Sequence, residues 1–178
     1  MVGKNKSGGG ASTTKNGKEY EEKMDLKNLL EKNGYTVNNS KVMYKKEEVG
    51  WIALQRDFYE CIGHTHKEVE EVVGFYLIPD TTFFNKRNQT LYVIEIKSQK
   101  SGGSVDEKIL ACEFKLRFYN RVAWELNKDT IKHVRFIYLL DDYFSDERGK
   151  YKEYLHFVRD KGCDYYYYNS FVPSSIGL

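Results

Sequence analysis

Two short segments contain the charged residues that are the best candidates for catalysis. Asp80 ends one predicted strand, and Glu95 and Lys97 end a later, strongly apolar one. Side chains alternate along a strand, so Glu95 and Lys97 point to one side while Ile96 points to the other. A polar turn at residues 85–89 separates the two strands. This is the geometry of a hairpin, which predicts that Asp80 lies beside Glu95.

Neighbouring carboxylates repel each other and are best satisfied by a hard divalent cation. Mg²⁺ takes one or two carboxylates, keeps several waters and binds phosphate oxygens. An ammonium beside such a site stabilises a pentacoordinate phosphate, or helps to hold and deprotonate an attacking water. The alternative is that Glu95 and Lys97 form an exposed ion pair at a strand end. The presence of Asp80 on the adjacent strand favours the catalytic interpretation.

The surrounding elements predict an α/β fold with a mixed central β-sheet flanked by helices. Residues 91–96 form a nearly continuous apolar run, typical of a strand buried on both faces. Residues 105–125 have the stripe of a long helix, and residues 134–140 form another buried strand. This βαβ passage predicts a parallel pair. Further helices are predicted at 18–33 and 150–160, and strands at 35–37, 42–44, 72–78, 81–84 and 165–168, whereas 51–62 has no assignable pattern.

Length and charge set further limits. A chain of 178 residues suits one domain, which we place at residues 15–178, behind a flexible basic tail at residues 1–14. The tail is either solvated or an arm that touches phosphate. The net charge is +2, with 28 basic and 26 acidic residues, and several lysines precede the first acidic residue. The remaining body is near neutral, so any DNA-binding lysines must be concentrated in a groove.

Several classes of protein are excluded. No apolar run approaches the roughly 20 residues of a membrane helix. The three cysteines are widely spaced, which excludes a disulfide framework and fits a cytoplasmic location. Phosphate-binding glycine motifs and the GxSxG motif are missing, so we expect no nucleotide cofactor. The pair His64 and His66 is better explained by a surface loop than by zinc, and Asp141-Asp142 by a strand end or helix cap than by an acidic site.

The arrangement resembles the PD-(D/E)xK nuclease superfamily over about residues 18–140. The matching residues are Asp80, Glu95 and Lys97, placed on strand, turn and strand before a long helix. The resemblance implies Mg²⁺-dependent hydrolysis of DNA to 5′-phosphate and 3′-hydroxyl ends. It also implies that Asp80, Glu95 and the Ile96 carbonyl hold the metal. Lys97 would orient or activate the water and stabilise the transition state.

Further features are similar to type II restriction endonucleases within that superfamily. Gln99 lies on the same strand face as Lys97, as in an ExKxQ variant, and joins the catalytic candidates. An early glutamate often assists the metal in such enzymes; Glu22 is favoured by its inward position, with Glu19 next and Glu21 under a looser alignment.

The helix that follows the active strand offers a place for DNA. Its N-terminus would present free backbone N–H groups to a phosphate. The DNA-binding candidates are Lys100, Ser104, Lys108 and Lys115, the last two sharing a helix face. Plain solvation is the alternative for these lysines.

Three functions follow from the resemblance. The first is a site-specific type II endonuclease that cuts double-stranded DNA as a homodimer, because two strands of a palindrome require two active sites related by a two-fold axis. The second is a structure-selective nuclease of the junction-resolvase or repair type. The third is an inactive DNA-binding subunit that keeps the fold.

Overall fold

A computed structural model of the chain describes residues 26–99, 105–145 and 149–178. Its centre is one seven-stranded sheet whose strands follow one another in chain order. The strands are β1 (Thr36–Asn38), β2 (Lys41–Tyr44), β3 (Glu47–Leu54), β4 (Thr81–Asn85), β5 (Thr90–Lys97), β6 (His133–Leu140) and β7 (Asp164–Tyr167). The described α-helices are α1 (Leu26–Lys32), α2 (Asp57–Cys61), α3 (His66–Val73), α4 (Val105–Ile109), α5 (Cys112–Asn127) and α6 (Lys150–Asp160).

The sheet is antiparallel in its first part and parallel in its second. Strands β1 to β5 pair antiparallel with their neighbours, whereas β5, β6 and β7 run parallel. Helices α4 and α5 lie between β5 and β6 in the chain, as a parallel connection requires. The predicted α/β fold with a mixed central sheet flanked by helices is therefore confirmed.

Strand β5 is buried on both of its faces and separates two cores. Val93 packs in the core that includes α5. Ile94 and Ile96 pack in the core on the opposite face, together with Leu30 of α1. The alternation of β5 therefore directs Glu95 toward the α5 side of the sheet.

Two tight turns join β1 to β2 and β2 to β3. Asn39 and Ser40 have φ values of 43° and 70°. Lys45 and Lys46 have φ values of 49° and 71°. Positive φ at both central residues is the feature of type I′ hairpin turns, whose twist matches that of the flanking strands.

The segment predicted as a strand at 72–78 is instead the end of α3 and an irregular stretch, so this prediction is wrong. A capping box begins α3: the Thr65 hydroxyl accepts from the Glu68 N–H, and the Glu68 carboxylate accepts from the Thr65 N–H at 2.7 Å. Gly74 ends the helix with φ 95°. These capping interactions outweigh the β propensity of the valines, and the helix buries Val69 and Val73 while Val72 stays exposed.

The single long helix predicted after β5 is divided into α4 and α5. The N–H groups of Leu110 and Ala111 donate to the carbonyls of Glu107 and Lys108, three residues earlier. This tightened turn ends α4, and Ala111 leaves the helical region at ψ 4° before α5 begins. The prediction that Lys108 and a lysine of α5 share one continuous helix face is therefore wrong.

Strand β3 approaches β4 so closely that a side chain does not fit at Gly50. A Cβ atom there would lie 1.9 Å from the Phe84 carbonyl oxygen. The stretch 51–62, which had no assignable pattern, completes β3 and forms α2. Just after β3, the Gln55 N–H donates to the Asp80 carbonyl at 3.2 Å and fixes the residue that precedes β4.

None of the helices in the described part of the chain combines the length and apolar character needed to cross a bilayer. The predicted tail at residues 1–14 lies outside the described residues. The division into a tail and one domain at 15–178 stays a prediction.

Candidate active site

Strand β5 presents Glu95 and Lys97 on one face and Ile96 on the other, as the alternation predicts. Glu95 is buried, with 5% of its surface exposed. The Lys97 Nζ atom lies 3.0 Å from Glu95 Oε2. This burial excludes the alternative that the two residues form a solvent-exposed pair at a strand end.

Asp80 precedes β4 and reaches across to β5. Its Oδ2 atom accepts the Ile96 N–H at 2.8 Å and lies 3.5 Å from Lys97 Nζ. The antiparallel pairing of β4 and β5 matches Thr81 with Ile94, so Asp80 stands one step beyond that pair. The hairpin therefore brings Asp80 to the charged end of β5, as the spacing predicts.

Three oxygen atoms surround the Lys97 ammonium at this end of the sheet. The Lys97 ammonium lies 3.0 Å from the Ile96 carbonyl oxygen, 3.0 Å from Glu95 Oε2 and 3.5 Å from Asp80 Oδ2. A cation therefore already sits among two carboxylates and a carbonyl. The arrangement can hold a positive charge or deliver one to a bound anion.

Lys115 supplies a second cation to the same cluster. Its Nζ atom, carried by the first turns of α5, lies 2.5 Å from Glu95 Oε1 and 2.6 Å from Glu95 Oε2. Lys115 is predicted from the sequence to bind DNA, whereas the structure places it against a buried carboxylate. It lies between Cys112 and Tyr119 at helical spacing, and both are buried. A lysine within the apolar stripe of a helix was the signal that could have found it.

The contacts within the cluster stabilise the charged forms of Glu95 and Lys97. Burial alone would raise the pKa of Glu95, but the ammonium groups of Lys97 and Lys115 outweigh it and lower the pKa below its ordinary value. Burial alone would lower the pKa of Lys97, but Glu95 and Asp80 outweigh it and raise the pKa. At neutral pH Glu95 is therefore ionised and Lys97 is protonated in this arrangement.

Two tyrosines form a neutral wall beside the cluster. Tyr138 pairs in register with Glu95, and its hydroxyl donates to the Lys108 carbonyl at 2.9 Å. Burial raises the pKa of Tyr138, and the charge of Glu95 raises it further. Burial also raises the pKa of Tyr119. Both phenols therefore remain protonated at neutral pH.

The donors fit a hard cation better than a soft one. Asp80, Glu95 and the Ile96 carbonyl present only oxygen atoms, which are the ligands of Mg²⁺. No group of three or more His, Cys, Asp or Glu side chains suited to a metal occurs within residues 26–99, 105–145 and 149–178. Two carboxylates suffice for Mg²⁺, which keeps several of its waters. Glu22, Glu19 and Glu21 lie outside the described residues.

The chain beyond Lys97 is held by the end of β6. The Lys97 carbonyl accepts from the Asp141 N–H at 3.2 Å. Asp141 Oδ2 accepts from the Gln99 N–H at 3.0 Å, and its Oδ1 accepts from the Tyr143 N–H at 3.1 Å. Asp141 therefore caps the short 3₁₀ turn Asp142–Phe144, which supports the capping interpretation. A catalytic part for Gln99 stays a prediction.

Some of the remaining candidates lie outside the described residues, and the structure places the others. Lys100 and Ser104 lie outside the described residues. Lys108 is exposed on α4. His66 begins α3 rather than lying in the predicted surface loop, and its ring packs at an angle against Tyr59 and Tyr76, with centroid distances of 4.8 Å and 4.9 Å.

An exposed aromatic pair lies on α5 and on the segment after α3, and the sequence did not predict it. Phe75 and Phe114 stack with ring centroids 5.7 Å apart and an interplanar angle of 7°. Phe114 is 56% exposed and immediately precedes Lys115 in α5. Exposed rings beside a charged site are suited to contact with flat ligands.

Comparison with known proteins gives no relative for this site. The chain matches no family model, no curated protein and no solved structure.

Proposed function

We propose that the protein is a divalent-metal-dependent nuclease that hydrolyses DNA phosphodiester bonds. The observation that carries the proposal is the convergence of Asp80 Oδ2, Glu95 Oε2 and the Ile96 carbonyl within 3.5 Å of one ammonium at the end of β5. Two acidic oxygens, a carbonyl and a lysine at one strand end are the parts that phosphodiester hydrolysis requires.

Asp80, Glu95 and the Ile96 carbonyl would hold Mg²⁺. When bound, the ion would supply a Lewis acid for the phosphate and lower the pKa of a coordinated water. The Ile96 N–H fixes the Asp80 carboxylate at 2.8 Å, so one ligand is oriented before any ion arrives.

Lys97 acts mainly as an electrostatic group. Because its neighbours raise its pKa, the ammonium keeps its proton at neutral pH in this arrangement. It would stabilise negative charge on the phosphoryl oxygens and orient the attacking water, rather than deprotonate it. Attack in line with the leaving 3′-oxygen gives a 5′-phosphate and a 3′-hydroxyl.

The first substrate class is double-stranded DNA cut at a specific site by a homodimer, as in type II restriction endonucleases. The support is the pattern of Asp80, Glu95 and Lys97 on a mixed α/β sheet. The three cysteines are free, which fits a cytoplasmic location.

The exposed pair Phe75 and Phe114 favours a second candidate, a nuclease selective for branched or unpaired DNA. Exposed aromatic rings stack on unpaired bases, at roughly 1–3 kcal/mol per base. In that case Phe114→Ala reduces cleavage of branched DNA and leaves cleavage of intact duplex unchanged.

The decisive experiment incubates the full chain with unmethylated phage DNA, plasmid DNA and a four-way junction, with and without Mg²⁺, and sequences the ends. Asp80→Asn is the matched inactive variant. A defined ladder on plasmid supports the site-specific enzyme, and cutting of the junction alone supports the second candidate. If neither Mg²⁺ nor Mn²⁺ supports cutting of any of these substrates, the proposal is wrong.

A further inference from the structure

We propose that Lys115 is a resident counter-cation that keeps the metal affinity of the free protein low, and that the phosphate backbone of DNA draws it away from Glu95. This inference rests on the proposed function, and it adds regulation of the same site. Metal ions would then bind well only when nucleic acid is present.

Both oxygens of the Glu95 carboxylate are already engaged by cations. Lys115 Nζ contacts Oε1 at 2.5 Å and Oε2 at 2.6 Å, and Lys97 Nζ contacts Oε2 at 3.0 Å. The Glu95 side chain is only 7% exposed. An incoming divalent ion must therefore compete with a close ammonium in a place where water screens charge poorly.

The charges of the cluster favour the departure of one lysine. Asp80 and Glu95 carry two negative charges, which Lys97 and Lys115 balance. A divalent ion added to this neutral cluster leaves two uncompensated positive charges in a largely buried site, which is unfavourable. A DNA phosphate at the ion offsets one of these charges, and a second phosphate that takes Lys115 as its partner offsets the other.

The contacts single out Lys115 as the lysine that leaves. Lys97 is held by three acceptors, namely Glu95, Asp80 and the Ile96 carbonyl. Within the described residues, Glu95 is the one side chain or carbonyl that accepts from the Lys115 ammonium. Lys115 is also the more exposed, at 22% against 14% for Lys97. A flexible four-carbon stem lets its ammonium turn outward toward a phosphate.

The test measures Ca²⁺ binding to the full chain by titration calorimetry, because binding can then be followed without cutting. Lys115→Met removes the charge and keeps most of the length, and Lys128→Met at the far end of α5 is the matched control. We expect Lys115→Met to bind Ca²⁺ at least tenfold more tightly than the wild type and Lys128→Met to bind as the wild type does. A short DNA duplex should raise the Ca²⁺ affinity of the wild type at least tenfold and that of Lys115→Met much less.

Equal or weaker Ca²⁺ binding by Lys115→Met overturns the inference. Lys115→Gln serves as a second neutral variant, and thermal unfolding shows whether each variant is folded. If neither variant folds, the test is the Ca²⁺ affinity of the wild type with and without duplex DNA. An affinity that DNA does not change also overturns the inference. Failure of the proposed function looks different: the wild type and both neutral variants then bind no divalent ion with or without DNA, and no DNA is cut.

Discussion

The two buried carboxylates among the described residues each contact two cationic side chains, yet the two clusters differ in chemistry. Glu95 lies at the end of β5 with Lys97 and Lys115, whose side chains are 14% and 22% exposed. Asp164 begins β7 and contacts Arg135 and Arg159, whose side chains are 53% and 47% exposed. The Glu95 cluster is thus enclosed, whereas the cations of the Asp164 cluster are half solvated.

The Asp164 cluster has the geometry of a clamp. Arg135 places Nε 3.0 Å and a terminal nitrogen 2.5 Å from Asp164 Oδ2, and Arg159 donates to Oδ1 at 2.8 Å. Arg159 also covers the Tyr165 ring at 4.6 Å. Planar guanidinium groups fill both carboxylate oxygens with directional bonds, which ties β6, β7 and α6 together.

The Glu95 cluster contains additional oxygen ligands that the Asp164 clamp lacks. A second carboxylate, Asp80, and the Ile96 carbonyl face the same ammonium. Ammonium groups are point charges on flexible stems, so they can be exchanged for another cation more easily than a fitted guanidinium fork. The two clusters have the same number of cations, but the Glu95 cluster differs in the type of cation and in its additional oxygen ligands, which favour exchange of the bound cation.

The largest expected effect is a loss of DNA cleavage on substitution in the Glu95 cluster but not in the Asp164 cluster. Asp80→Asn should reduce DNA cleavage by about 10³-fold or more, because a Lewis-acid metal contributes several kcal/mol to the transition state. Asp164→Asn should retain wild-type cleavage per folded molecule. Initial rates with Mg²⁺, corrected for the folded fraction by circular dichroism, test this pair. Equal losses in both variants would remove the distinction.

A smaller effect is expected for the cations. Lys97→Met should lower kcat by about 10²–10³-fold, the usual cost of removing one donor that stabilises transition-state charge. Arg135→Met should leave kcat unchanged, since among the described residues its guanidinium hydrogen-bonds to Asp164 alone. Single-turnover rates at saturating DNA measure the difference. A Lys97→Met enzyme that keeps its kcat and loses only substrate affinity would place Lys97 in binding rather than in chemistry.

A loss of stability is also expected when the Asp164 cluster is broken. Asp164→Ala should lower the free energy of unfolding by about 1–2 kcal/mol, between the values for exposed pairs and for charged hydrogen bonds, because its arginines are half solvated. Urea unfolding followed by tryptophan fluorescence measures the loss. Lys128→Met is the control. No change in the unfolding free energy would mean that the clamp contributes nothing.

The smallest effect is a dependence of stability on pH. The folded-state pKa of Glu95 is lowered: burial opposes ionisation, but Lys97 and Lys115 outweigh it. Its stabilising contribution is therefore present above the unfolded-state pKa of about 4.3 and is lost as the pH falls through the lower folded-state pKa. The difference in unfolding free energy between the wild type and Glu95→Gln should shrink between pH 6 and pH 3. A difference in unfolding free energy that grows toward acid pH would contradict this prediction.

Local rules were sufficient to predict the charged end of strand β5. Two-residue alternation placed Glu95 and Lys97 together, and the hairpin brought Asp80 to them, because both depend on neighbours in the sequence. The error at 72–78 came from weighing β-branched residues above the capping box at Thr65 and the αL glycine, Gly74, both of which are visible in the sequence.

The position of Lys115 depends on tertiary structure. The turn at Leu110 and Ala111 sets the phase of α5 relative to β5, and no local pattern states which buried partner a helix face will meet. The Asp164 clamp was missed for the same reason, because Arg135 and Arg159 come from different elements.

The two tight turns after β1 and β2 have a practical consequence for redesign. Each joins adjacent strands at the border of the sheet through two residues, and β3 and β4 separate both from β5. Longer loops grafted at 39–40 or 45–46 carry only a small closure penalty. New recognition segments can thus be installed there without displacing the strand that bears Glu95.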